Sequence, residues 1–181
     1  MTGKSSKQSA EITDLDIVLE AEDAAQEFRN ALGSALRFIS YRPRSTREVD
    51  RKLSLSFGPE VIGKVTCWLR ENKYLDDRQF AAQWKDYRER LRPRSLKMIH
   101  RELRRLGVSE DILDDLDDLT VDGEEAQNAY NSVIRVARRK QSAGMDLDSM
   151  IRVIYPYLRR RGFDDSVIRL TSGRIASELF S

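Results

Sequence analysis

Three kinds of side chain in this 181-residue sequence have the types and spacing to do chemistry: paired aspartates, a single cysteine with a single histidine, and a large excess of arginine. The pairs Asp76-Asp77, Asp114-Asp115 and Asp164-Asp165 carry the hard oxygen donors that a Mg²⁺-dependent nuclease needs. Each also stands at or beside an expected helix start, or on an exposed helix, where a carboxylate that caps backbone N–H groups explains it. Cys67 and His100 have no second copy, which excludes an intramolecular disulfide and leaves no usual set of zinc ligands. Cys67 lies beside Trp68 and Leu69 and reads as a buried structural thiol. His100, next to Arg101 and remote from any nucleophile motif, reads as a surface or packing residue. Neither a phosphate-cradling glycine loop nor a nucleophile elbow occurs. The sequence therefore predicts no catalytic residues, no metal, no cofactor and no enzymatic turnover.

The cations are the remaining chemistry. Of 32 basic residues 24 are arginine, the side chain suited to bidentate contact with phosphate or carboxylate, although an arginine-rich genome would give the same bias. The net charge of +2 hides their distribution. Residues 1–30 sum to −4, residues 31–107 to +10, residues 108–125 to −9 and residues 126–181 to +5. Acids and bases are segregated, whereas simple solubility favours interleaving, so a polyanion-facing surface is expected beside the blander reading of a solvated charged face. The candidates are Arg88, Arg92, Arg94, Lys97, Arg101, Arg104 and Arg105, then Arg135, Arg138, Arg139, Lys140, Arg152, Arg159, Arg160 and Arg161. Leu106-Gly107-Val108-Ser109 mimics the turn of a helix-turn-helix. The helix after it would carry Glu110, Asp111, Asp114, Asp115, Asp117 and Asp118, whose repulsion from phosphate argues against groove insertion.

These side chains must be positioned by helices. Glycine and proline are few (9 and 4), apolar residues recur at helical spacing, and hardly any stretch alternates, which predicts an all-α chain. In the stretch 92–116, Ser95 can cap a helix whose apolar face is Leu96, Ile99, Leu103 and Leu106; Gly107 can stop it, and Ser109 can cap a second helix with Ile112, Leu113 and Leu116. Arg42-Pro43-Arg44-Ser45 repeats Arg92-Pro93-Arg94-Ser95, with Leu53, Gly58 and Ile62 answering Leu103, Gly107 and Ile112. Leu158, Gly162 and Val167 answer them again. A period of about fifty residues predicts a helical repeat protein.

The expected boundaries are a polar and acidic tail over 1–20, with a turn of helix at Leu15–Leu19, then repeats over 21–72, 73–121 and 122–181. The first repeat opens with a helix from Ala21 to about Tyr41, and Ser45 with Glu48 has the spacing of a capping box. Phe80, Trp84, Tyr87 and Leu91 form an aromatic stripe whose spacing suits a core face better than a base-stacking platform. Pro156 predicts a kink or a late start in the middle helix of the third repeat. No apolar run is long enough to span a bilayer and no signal-peptide core is present, so a cytoplasmic protein without membrane contact is expected.

In order and spacing, several motifs resemble the RecX family of bacterial regulatory proteins. They are Ala35-Leu36 with Arg42-x-x-Ser45-x-x-Glu48-Val49 and Leu53; Tyr74-Leu75-Asp76-Asp77-x-x-Phe80-Ala81; Ile99-x-x-Glu102-Leu103-x-x-x-Gly107-Val108; and Leu158-x-Arg160-Arg161-Gly162-Phe163. The resemblance covers about residues 31–175. It implies an elongated, curved array of three tandem three-helix repeats with a flexible N-terminal tail. It also implies a monomer that lodges in the groove of a RecA filament on single- or double-stranded DNA and inhibits ATPase, strand-exchange and co-protease activities, thereby regulating recombination, DNA repair and the SOS response. The family carries no catalytic residues. The alternative reading is a stand-alone nucleic-acid-binding helical module.

Overall fold

A computed structural model describes residues 14–118 and 123–180, and these residues are helical with short connections. The helices are α1 (Asp14–Ser40), α2 (Thr46–Leu53), α3 (Pro59–Glu71), α4 (Asp77–Leu91), α5 (Leu96–Leu106), α6 (Glu110–Asp118), α7 (Glu124–Ser142), α8 (Leu147–Arg160) and α9 (Asp165–Leu179). They form the expected all-α repeat of three-helix modules. The tail expected at the N-terminus lies outside the described residues up to position 13. From Asp14 onward a single helix replaces the expected short turn and separate second helix. Nothing between Leu19 and Ala21 breaks the backbone pattern, so the apolar cluster at its start is the beginning of α1 itself.

The chain divides into two compact units, one comprising α1, the later part of α2 and α3 up to Tyr74, the other Arg44–Glu48 together with everything from Leu75. In the first unit Ala31, Ala35, Val49, Leu53, Val65 and Leu69 are fully buried, and Thr66 Oγ1 donates to Asp50 Oδ1 at 2.6 Å across the helices. In the second unit two cores succeed one another. Phe80, Ala81, Ile99, Leu103, Val108, Leu113 and Leu116 join α4, α5 and α6. Ala129, Tyr130, Val133, Ala137, Met150, Ile154, Leu158, Phe163, Ile168 and Ile175 join α7, α8 and α9. The aromatic stripe of α4 is core at only one end: Phe80 is buried and Trp84 half-buried, whereas Tyr87 and Leu91 are exposed. They lie in the last turns of α4, where Arg88 rather than the stripe is turned to α5.

Helix ends follow their local chemistry. Ser45 and Glu48 form the reciprocal capping box, with Glu48 N–H on Ser45 Oγ and Ser45 N–H on Glu48 Oε2, both at 3.2 Å. Ser95 Oγ accepts from Met98 N–H, Asp76 Oδ1 from Gln79 N–H and Asp146 Oδ1 from Ser149 N–H. Gly107, Gly144 and Gly162 end their helices in the left-handed region, each followed by a long-reach bond: Val108 N–H to Leu103 O, Met145 N–H to Lys140 O, Phe163 N–H to Leu158 O. Gly58 does not join them. Its φ of −73° is extended, α2 has already ended at Leu53, and the residue serves as the cap before Pro59 at the start of α3. The left-handed stop of the first unit is Lys73, at φ 60°, with Tyr74 N–H on Leu69 O. α8 runs through Pro156, starting at Leu147 rather than after the proline.

Candidate polyanion-binding surface

α5 is fixed by the buried side chains of Ile99 and Leu103, and its opposite face carries Lys97, Arg101 and Arg105, four residues apart and exposed. At a rise of about 1.5 Å per residue this spacing sets the three cations roughly 6 Å apart along the helix. Arg135 and Arg139 on α7 and Arg152 and Arg160 on α8 are also exposed. Lys140 is half-buried at the end of an apolar groove that Val136 and Val153 line. Arg92 caps the C-terminus of α4 through its backbone and leaves its side chain in solvent. None of these cations has an ion-pair partner among the described residues.

The other six candidates are engaged within the fold. Glu102 on α5 receives Arg88 Nε at 2.7 Å, Arg94 Nη1 at 2.6 Å and Trp84 Nε1 at 2.9 Å, and the Arg88 guanidinium lies 4.8 Å from the Trp84 ring centre. With the Arg88 and Glu102 side chains only 15% and 14% exposed, this cluster ties α4 to α5. Arg104 forks onto Glu110 through bonds of 2.6 and 2.7 Å, holding that carboxyl below the ordinary range. Arg138 lies 3.8 Å from Glu178 and Arg159 3.5 Å from Asp165. Arg161 donates to Pro93 O at 2.8 Å and packs over Tyr157, 4.4 Å from the ring centre. Arg169 on α9 is exposed and without an ion-pair partner among the described residues, and it was not singled out in the sequence because it belongs to no run of basic residues.

Asp76, Asp77, Asp115 and Asp165 are engaged by local structure, whereas Asp164 stands at the N-cap of α9 without a side-chain cap bond. Asp76 caps α4, while its neighbour Asp77 accepts from Thr46 N–H at 2.8 Å and so holds the first turn of α2. Asp115 pairs with Arg78, which also lies 3.7 Å from Asp111; Asp165 accepts from Tyr155 Oη at 2.8 Å. Among the described residues no three His, Cys, Asp or Glu side chains are grouped to hold a metal. His100 is buried against α6 with Nε2 3.0 Å from Asp117 Oδ1. Cys67 is exposed, not buried as its neighbours suggested: it occupies the outer face of α3, where its Sγ donates to Glu71 Oε1 at 3.2 Å. That bond pushes the thiol pKa up and disfavours the reactive thiolate. No helix among the described residues is long and apolar enough to cross a membrane.

The family model of RecX, first three-helix domain, matches residues 31–67. The Regulatory protein RecX of Bacillus subtilis is 28% identical over 95% of this chain, and that of a Geobacillus species 34% identical over 80%; the chain spans 64% and 53% of their lengths. The Regulatory protein RecX of Prosthecochloris aestuarii is 32% identical over 79% of this chain and 91% of its own. The crystal structure of RecX from Lactobacillus salivarius matches with a TM-score of 0.71 at 20% identity, covering 84% of this chain and 99% of that one, which is a likeness of fold.

Proposed function

The chain belongs to the RecX family of regulatory proteins, and from that premise we propose that it binds the RecA filament on DNA in the cytoplasm and restrains RecA's recombinase, ATPase and co-protease activities. It acts by occupancy rather than by catalysis. The observation that carries this reading is the set of cations without an ion-pair partner among the described residues: Lys97, Arg101 and Arg105 on α5, with Arg92, Arg135, Arg139, Arg152 and Arg160, all exposed, and the half-buried Lys140 in the same unit. A groove built of protein and DNA phosphates presents the negative potential that such a face is attracted to, and neutralising phosphates releases counterions. Arg88, Arg94, Arg104, Arg138, Arg159 and Arg161 contribute to the field while their geometry is set by internal partners. The protein acts as a monomer, each copy presenting the whole face.

RecA's DNA-dependent ATPase, measured with and without the protein at rising salt, tests the reading. Inhibition that fades as salt rises is expected, and an ATPase indifferent to the protein at low salt would refute it. The second reading, a nucleic-acid-binding module for which RecA is incidental, rests on the same cations. It predicts equal affinity for bare DNA and for the filament.

A further inference from the structure

Within the second unit the first turns of α2 and of α5 each meet the end of a later helix, through a joint that is built twice. In the first copy Ser45 Oγ, at the start of α2, donates to Leu106 O, the last carbonyl of α5, at 2.5 Å. A methyl group on Gly107 would overlap the Arg47 side chain. In the second copy Ser95 N–H, at the start of α5, donates to Arg161 O at the end of α8 at 3.0 Å. A methyl group on Gly162 would overlap Met98 Cγ and Ser95 Oγ. Both serines are buried, at 0% and 1% exposure. Each joint thus sets the partially negative C-terminus of one helix against the partially positive N-terminus of another, with a glycine because no side chain fits.

Arg161 adds a clasp to the second joint. Its guanidinium donates to Pro93 O and lies over Tyr157, so it is drawn back across the joint. We propose that Arg161 and Gly162 are positioning residues: they hold the cations of α7 and α8 in register with Lys97, Arg101 and Arg105 of α5, so that one polyanion meets both sets together. This rests on the nucleic-acid contact proposed above and assigns Arg161 a role that its charge alone would not give it.

The test is the salt dependence of binding to a short labelled DNA duplex by the full chain, with helical content measured on the same preparations. Each phosphate neutralised contributes about 0.9 to the slope of log affinity against log salt. Gly162→Ala removes no charge, yet it should lower the slope by about 0.9 for every phosphate contact the third module loses. Gly144→Ala is the control, since it has a similar positive φ (84° against 90°) but a methyl there meets nothing within 4 Å. Its slope should match the parent's. Arg161→Gln should lower the slope by more than Arg160→Gln, which removes one cation that has no ion-pair partner among the described residues. Folded Gly162→Ala with the parent slope would overturn the proposal. So would equal losses for Arg161→Gln and Arg160→Gln, which decides the matter if Gly162→Ala fails to fold. A parent chain whose binding ignores salt would instead refute the nucleic-acid reading, and the proposal would fall with it.

Discussion

Leu103 and Arg101 are two residues apart on α5 and do opposite work. Leu103 is fully buried between α4 and α6, and truncation to alanine removes apolar contact and leaves a cavity, so Leu103→Ala should cost about 2–5 kcal/mol. Arg101→Ala, on the exposed face, should cost within about 0.5 kcal/mol, and denaturant titration of the two variants checks the assignment of faces. Both roles were legible in the sequence, because helical periodicity separates them. Cys67 was misread for a related reason: its neighbours Trp68 and Leu69 turn inward, but a residue one position away on a helix is rotated by about 100°. Glu125 illustrates what no sequence pattern reveals. Burial raises its pKa against the opposing hydrogen bond from Leu96 N–H. The folded state therefore holds this proton more tightly than the unfolded chain, and stability falls as pH climbs from near the ordinary glutamate value of 4.5 through the raised folded value. Glu125→Gln keeps an acceptor for Leu96 and removes the titration. It should be the more stable chain at neutral pH, with a flatter profile of denaturation midpoint against pH across that window.

At the scale of the element, caps and stops were readable where their chemistry is local. The capping box at Ser45, the serine cap of α5 and the left-handed stops at Gly107 and Gly162 all follow from residues within one turn of each other. Gly58 and Lys73 show the limit. The repeat aligns Gly58 with Gly107, yet α2 closes at Leu53, and the left-handed position of this unit falls on a lysine. A side chain at positive φ is strained by roughly 1–2 kcal/mol, part of which glycine's greater unfolded-state entropy cancels. Lys73→Gly should therefore raise stability by up to about 1 kcal/mol, read as a later urea midpoint with an unchanged slope. The recurrence of Arg-Pro-Arg-Ser was visible as a repeat, but its reason was not. Each serine faces the glycine turn of the following module, Ser45 reaching 61 residues to Leu106, and a pairing that distant leaves no mark in periodicity.

Across the molecule, the sequence showed that cations are concentrated and acids segregated, but not which cations the fold has already engaged. Glu102 decides much of this, since one acidic residue on α5 holds Arg88 and Arg94 inward while Lys97, Arg101 and Arg105 on the other face have no ion-pair partner among the described residues. Reversing Arg159, Arg160 and Arg161 together would be an ambiguous experiment, because Arg161 clasps the joint and Arg159 leans on Asp165. The α5 stripe is cleaner. Lys97→Glu, Arg101→Glu and Arg105→Glu combined change the local charge by six units without touching a buried contact, so helical content should be kept while inhibition of RecA's ATPase is lost at least tenfold, equivalent to about 1.4 kcal/mol. The same reversal at Arg29, Arg37 and Lys52, exposed residues of the first unit, imposes an equal change in net charge. If global charge alone set the interaction, both triple variants would lose inhibition equally. If a surface does, the first falls away and the second stays within a few-fold of the parent, and titrating each against RecA on DNA at one fixed salt concentration separates the two.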